Sequence, residues 1–132
     1  MSILGRQVSK RTLSAFVLAM IAAGGLLPVS SGPPSREIVL VARDMTFYLE
    51  GDAVHPNPVL EVAAGETVRL VLRNRDAGML HDVAVPGIGA ATTAVEWNDE
   101  ASFTFTAPKQ GGTYEYVCRP HLPMMKGTLR VK

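Results

Sequence analysis

The stretch "TYEYVCRPHLPMMKGTLRVK", residues 113–132, indicates both the type of fold and the place of its chemistry. Its start alternates, so that Tyr114, Tyr116 and Cys118 share one face of an extended segment. Pro120 has no N–H to donate to a ladder and marks the end of that strand. A second strand-like run, "GTLRVK", closes the chain. The stretch therefore predicts two strands joined by a loop, with Cys118 at the tip of the first.

This predicted loop concentrates sulfur and imidazole groups. Cys118 is the only cysteine of the chain, His121 is one of three histidines, and Met124 and Met125 are two of six methionines. Because Cys118 and His121 are three residues apart across a turn, their side chains can converge on one point. Thiolate, imidazole and thioether together suit a copper ion that cycles between two oxidation states.

A copper site of this kind needs a second imidazole, and His81 is the candidate. It lies where a loop, "NRDAGML", runs into a strand-like segment, "HDVAV". Two His, one Cys and one weak axial Met are the ligands of electron-transfer copper sites.

The donor types alone leave other interpretations open. A lone cysteine is often a small buried hydrophobe, and methionines commonly fill a core. Cys118 and a nearby His could be a nucleophile and its base, although no orienting group or oxyanion site is evident beside them. Zinc could bind the same two His and one Cys with a fourth ligand or a water molecule.

The chain upstream also has the period of β-structure. In "TVRLVLRN", residues 67–74, Val68, Leu70 and Leu72 face one way and polar side chains the other. Gly and Pro separate short runs of this kind, and no segment after the leader keeps a helical period over three turns. The segment 87–101, "GIGAATTAVEWNDEA", is predicted to be one short helix or a loop. Six to eight such strands predict an antiparallel β-sandwich or barrel.

Residues 1–33 are predicted to be an export signal, or an N-terminal membrane anchor, with a linker. Arg6, Lys10 and Arg11 precede an apolar run that ends near Val29, and small polar residues follow. The run is just long enough to span a bilayer if it is tilted. An A-x-A cleavage site is missing, and "VSS" is the best substitute, so both forms of the leader stay open.

Residues 34–132 are then one domain that is exported to the periplasm or another extracytoplasmic space. Membrane contact is expected only through residues 1–30, if the leader is retained. All 12 acidic residues lie in this domain, together with all but three of the 13 Lys and Arg. No basic patch stands out, which argues against nucleic acid as a partner.

Two motifs together resemble those of the cupredoxins, the small blue copper proteins such as plastocyanin, amicyanin and azurin. "CRPH" has the Cys-to-His spacing of plastocyanin and amicyanin, and "MKGTLRVK" is similar to the segment in which azurin leaves its axial Met for its last strand. "NRDAGMLHDVAV" resembles the plastocyanin segment that leads to the first His ligand. The resemblance covers almost the whole chain after the leader. It implies an all-β, antiparallel Greek-key β-sandwich of about eight strands with copper near one end.

The resemblance also implies a ligand set. One type 1 copper ion, cycling between Cu(I) and Cu(II), would have His81, Cys118 and His121 as equatorial ligands. Met125 is the predicted axial ligand because it directly precedes "KG", as in azurin. Met124, at the amicyanin spacing, is the alternative.

Two positions depart from the family pattern. Asp82 follows the first His, where many cupredoxins have Asn, and Arg119 follows the Cys in place of Ser or Thr. We hypothesise that a charged Asp82–Arg119 bond replaces the usual neutral one; the alternative is that both side chains are solvated. His55, between prolines, is predicted to be an exposed loop residue, and Trp97 to lie in the core or at its rim.

The resemblance implies an electron carrier rather than an enzyme. A monomer is expected, with a redox protein docking transiently near His121, where Leu122 and Met79 contribute to an apolar rim. The alternative is a copper-binding or copper-delivery protein, which the extra methionines Met79 and Met124 favour slightly. Three histidines leave too few ligands for the second metal centre of a copper enzyme.

Overall fold

The computed structural model describes residues 33–132. The predicted leader therefore lies outside the described residues, apart from Pro33. Within residues 33–132, no helix combines the length and the apolar character needed to cross a bilayer.

The described chain folds into two β-sheets that face each other across one core. The first sheet has the strand order β2-β1-β4-β7, and the second has the order β3-β9-β8-β5-β6. The nine strands are β1 (Arg36–Arg43), β2 (Thr46–Leu49), β3 (Leu60–Val62), β4 (Thr67–Asn74), β5 (Ala84–Val85), β6 (Ala90–Ala91), β7 (Glu100–Thr106), β8 (Gly112–Val117) and β9 (Lys126–Val131).

Alternation along the strands builds this core. In β4 the side chains of Val68, Leu70 and Leu72 are buried while Arg69 is exposed, as the period of two predicts. Full burial of one such aliphatic side chain contributes about 1.5–3 kcal/mol to folding. Both sheets supply core residues, among them Leu40, Phe47, Leu60, Val83, Val85, Tyr116, Leu129 and Val131.

The predicted β-sandwich is confirmed, but its strands are not all antiparallel. β1 pairs with β4 in parallel, and so does β3 with β9. The chain crosses to the second sheet between β2 and β4, so β4 re-enters the first sheet in the direction of β1. Side-chain alternation looks the same in both pairings, which is why the sequence pattern did not distinguish them.

The segment between β5 and β7 contains no α-helix. A single 3₁₀ turn spans Pro86–Ile88, β6 follows, and Val95 forms an isolated antiparallel bridge with His81. This bridge fixes His81 shortly before β5, the strand that pairs with β8.

Candidate metal centre

Three predicted ligands meet where β8 ends. Ligand atoms of His81, Cys118 and His121 all lie within 4.8 Å of one another. The Sγ atom of Cys118 is 3.6 Å from Nδ1 of His81 and 3.4 Å from Nδ1 of His121. His81 and Cys118 are fully buried, whereas His121 is partly exposed. One small ion could therefore contact two imidazoles and a thiolate from a largely water-free position.

The loop after β8 is held by its own backbone. A 3₁₀ turn spans Arg119–His121, and the Met125 N–H donates to the His121 carbonyl at 3.1 Å. The Cys118 N–H in turn donates to the Met125 carbonyl at 2.9 Å. These bonds fix Cys118 against Met125, so that the loop returns to the start of β9 within a few residues.

The two candidate axial methionines have opposite environments. The side chain of Met125 is fully buried next to Cys118, and Met124 is 65% exposed. Met125 is thus the thioether that packs against the site, and Met124 faces solvent.

His81 has a carboxylate partner that the sequence reasoning missed. Its Nε2 atom lies 2.8 Å from Oδ2 of Asp76, which also accepts the Met45 N–H, while Oδ1 accepts the Asp44 N–H. A carboxylate on one ring nitrogen fixes the tautomer and turns the other nitrogen toward the metal position. The only signal in the sequence was an acid five residues before the histidine, and its reach depends on the shape of the loop.

That loop is itself braced by Asn74, the last residue of β4. Its buried amide donates to the carbonyls of Met79 and Val95 at 2.7 and 2.9 Å, and its Oδ1 accepts the Asp76 N–H. Asn74 therefore connects β4, the loop before His81 and the bridge partner Val95. In the sequence, this Asn begins the segment "NRDAGMLHDVAV", but no local pattern shows which groups its amide contacts.

The protonation states suit metal binding. Burial lowers the pKa of His81 against the opposing effect of Asp76, so the imidazole is neutral near pH 7. Burial opposes ionisation of Asp76, but the hydrogen bonds from the Met45 and Asp44 N–H groups and from His81 outweigh it and lower its pKa. Burial raises the pKa of the Cys118 thiol, so a bound metal must displace its proton.

The hypothesised contact between Asp82 and Arg119 is present. Asp82 is buried, and Nε of Arg119 donates to its Oδ2 at 2.6 Å. The remaining histidine, His55, lies outside the site on an exposed loop, with Asp52 as its partner at 2.8 Å.

Exposed apolar side chains lie close to the ligands in the chain, and Trp97 shares a groove with two of them. We call Met79, Leu80, Trp97, Leu122 and Met124 the apolar rim, since all five are exposed. A groove of about 280 Å³ runs along part of it, lined by Gly78, Met79, Leu80, Glu96 and Trp97. Trp97 thus belongs to the rim rather than the core.

The assembled donors fit a copper ion. Two imidazoles and a thiol converge, with a buried thioether beside them, and sulfur suits the reduced ion while imidazole suits both oxidation states. In the part of the chain described here, every buried side-chain nitrogen or oxygen has a hydrogen-bond partner.

Comparisons with known proteins agree with this geometry. A family model described as "Cupredoxin-like domain" matches residues 17–131. An amicyanin from Paracoccus denitrificans is 33% identical over 125 residues, which cover 91% of this chain and 92% of the relative. Auracyanin A, a "blue" copper protein from Chloroflexus aurantiacus, shares the fold, with a TM-score of 0.55 and 22% identity over 73% of this chain and 98% of that one. A variant of amicyanin in its reduced Cu(I) form matches with a TM-score of 0.50 and 33% identity over 73% of this chain and 82% of that one.

Proposed function

The chain belongs to the cupredoxin-like family, and on that premise we propose that it is a type 1 copper protein that carries single electrons between redox partners. The observation that carries this proposal is the convergence of Cys118, His81 and His121 within 4.8 Å. In this proposal residues 34–132 form an exported, monomeric copper domain in the periplasm or another extracytoplasmic space. Residues 1–33 are its export leader or membrane anchor.

His81, Cys118 and His121 would hold the copper, with Met125 as a weak fourth ligand. When bound, the copper supplies a one-electron redox couple. Burial of Cys118 and His81 excludes water from the thiolate, and Asp76 keeps Nδ1 of His81 directed at the site. Since β8, β9 and the Asn74-braced loop fix these donors, both oxidation states meet nearly the same ligand positions.

The apolar rim is the proposed contact surface for the redox partner. Two of its members, Leu122 and Met124, follow His121 closely in the chain, and His121 is the ligand with partial exposure, so that a protein docked there would come close to the metal. Transient electron-transfer interfaces are small, below about 1,200 Å² in total, and a rim of five apolar side chains suits that size.

Copper loading of the purified domain tests the proposal. We expect an intense visible thiolate-to-copper band that a reductant bleaches and an oxidant restores. Cys118→Ser should remove the band but keep the far-ultraviolet circular dichroism of a folded domain. Met125→Leu should shift the band, and the matched variant Met124→Leu should leave it unchanged. A colourless wild-type protein would overturn the electron-carrier proposal.

Copper delivery is the second candidate function, and one observation favours it. The sulfurs of Met79 and Met124 are exposed on the segments that flank the site, where they could pass Cu(I) inward or outward. The double variant Met79→Leu with Met124→Leu distinguishes the two functions. Slower Cu(I) exchange with a chelator and an unchanged electron self-exchange rate would support delivery.

A further inference from the structure

We propose that Asp82 and Arg119 form a charge-balanced clamp that positions Cys118 against His81. This inference rests on the proposed function, because it assumes that Cys118 and His81 are metal ligands. Asp82 directly follows His81 in the chain, and Arg119 directly follows Cys118. Each clamp residue is therefore one peptide away from a ligand.

Both carboxylate oxygens of Asp82 are used. Oδ1 accepts the backbone N–H of Arg119 at 2.8 Å, and Oδ2 accepts Nε–H of the same residue at 2.6 Å. The two residues are 37 positions apart in sequence. A backbone bond and a charged side-chain bond thus join the two ligand-bearing segments at one point.

Arg119 also reaches a third segment. Its Nη2 donates to the carbonyl of Thr92 at 3.1 Å. Thr92 is buried and makes two hydrogen bonds with Val83, the residue after Asp82. Its N–H donates to the Val83 carbonyl at 2.9 Å, and its side-chain Oγ1 accepts the Val83 N–H at 3.1 Å. The guanidinium therefore holds the segment of Asp82 from two directions.

Asp82 is much more buried than Arg119, so its negative charge depends on the guanidinium for neutralisation. The side chain of Asp82 is 3% exposed, whereas that of Arg119 is 53% exposed. A buried carboxylate without its counter-charge is strongly unfavourable. Arg119 covers the carboxylate from the solvent side and neutralises it.

Single substitutions should break the clamp in different ways. Asp82→Asn leaves one acceptor oxygen but turns an amide N–H toward Nε–H of Arg119, so that two donors face each other. Arg119→Ser removes the counter-charge and leaves the buried carboxylate with two neutral donors, the backbone N–H and the introduced hydroxyl. The two substitutions together restore a neutral pair, because the introduced amide can donate to the introduced hydroxyl.

The unfolding equilibrium of the metal-free protein provides the first test. We expect each single variant to unfold more readily than wild type and the double variant to recover, with a coupling of about tenfold or more in the unfolding constant. Strictly additive effects would overturn the clamp. If neither single variant folds, a folded double variant supports the clamp and an unfolded one overturns it.

The copper-loaded proteins provide the second test. Loss of a partner that orients a ligand typically lowers metal affinity about 10- to 100-fold, and we expect this of both single variants. Arg119→Ser leaves a net negative charge near the thiolate, which favours Cu(II), so the reduction potential should fall. Asp82→Asn should raise it, and the double variant should return toward wild type. Shifts of the same sign in both single variants would show a merely structural effect and overturn the charge balance.

The pair Glu61–Arg130 is a matched control. Its Oε1 and Nη1 atoms are 3.0 Å apart, both side chains are about half exposed, and it lies at the end of β9 away from Met125. Glu61→Gln and Arg130→Ser should show almost no coupling, as is usual for exposed pairs. Equal coupling in the control would overturn the inference. The proposed function fails separately, if wild type itself gives no thiolate band.

Discussion

At the scale of single residues, neighbours in the sequence have very different environments. Met124 and Met125 share a peptide bond, yet one is largely exposed and the other is fully buried beside Cys118. Asp76 is a second example, because this acidic loop residue is the hydrogen-bond partner of a buried histidine. The environment, rather than the residue type, decides which of these groups could take part in the chemistry.

Asp76→Ala should weaken copper binding by about 10- to 100-fold, because His81 loses the group that fixes its tautomer and ring orientation. Competition with a chelator of known affinity measures this loss. Asp52→Ala is the matched control, since Asp52 makes a bond of the same 2.8 Å length to the exposed His55. Equal losses in the two variants would contradict the role of Asp76.

At the scale of elements, the β8–β9 pair joins the site to the core. Tyr116 on β8 lies opposite Gly127 on β9, and its ring covers the glycine while its hydroxyl donates to the Pro58 carbonyl at 2.6 Å. Burial strongly raises the pKa of Tyr116, so that the phenol stays protonated as a donor. The glycine of the "KG" after Met125 is therefore required for packing against Tyr116, as well as being part of the motif.

Gly127→Ala should destabilise the protein by about 1–3 kcal/mol, because an added methyl group would overlap the Tyr116 ring. Urea unfolding of the metal-free variant measures this loss. At Gly112, at the start of β8, an added methyl group would be 3.7 Å from the Tyr114 ring, an ordinary contact. Gly112→Ala should stay within about 0.5 kcal/mol of wild type, and a similar cost at both sites would refute the packing argument.

The turn between β3 and β4 should make the free energy of unfolding depend on pH in the acidic range. Glu66 accepts the Ala63 N–H at 2.8 Å and bonds with Arg36 and Ser35, and these bonds lower its pKa below the ordinary 4.5. A depressed pKa stabilises the fold above the unfolded-state value, and this contribution is lost as the pH falls through 4.5 toward the folded-state value.

Unfolding free energies of the metal-free protein between pH 7 and pH 3 test this expectation. Glu66→Gln should lower stability at pH 7 and have a flatter acid limb than wild type. Parallel curves for the two proteins would mean that the acid dependence comes from other groups.

At the scale of the whole molecule, alternation in the sequence predicted the sandwich, and the family resemblance predicted the three residues that meet at the candidate metal centre. Alternation identifies strands, and the sulfur and imidazole donors in one loop identify a metal site. The parallel pairing of β1 with β4 and the partners of His81 depend on how distant segments cross. No local pattern shows such crossings, so the contacts of Asp76 and Asn74 became visible only in the folded chain.

Copper should stabilise the whole domain because its ligands come from two distant segments. At a free copper concentration 100 times the Kd, a ligand that binds only the folded state adds about 2.7 kcal/mol. For a domain of this size that should raise Tm by roughly 10–20 °C. Calorimetry with and without copper measures the shift. Cys118→Ser should lose most of it, and an equal shift in that variant would point to binding elsewhere.

The parallel register of β1 and β4 also sets which end of the domain lies away from the entry of the described chain. Arg36 at the start of β1 pairs with Val68, while Ala42 near its end pairs with Asn74, where the ligand loop departs. The start of β1 and the metal centre thus lie at opposite ends of the domain, separated by the length of an eight-residue strand, roughly 23 Å. A domain tethered through that entry would turn its electron-exchanging pole away from the point of attachment, open to a partner diffusing past.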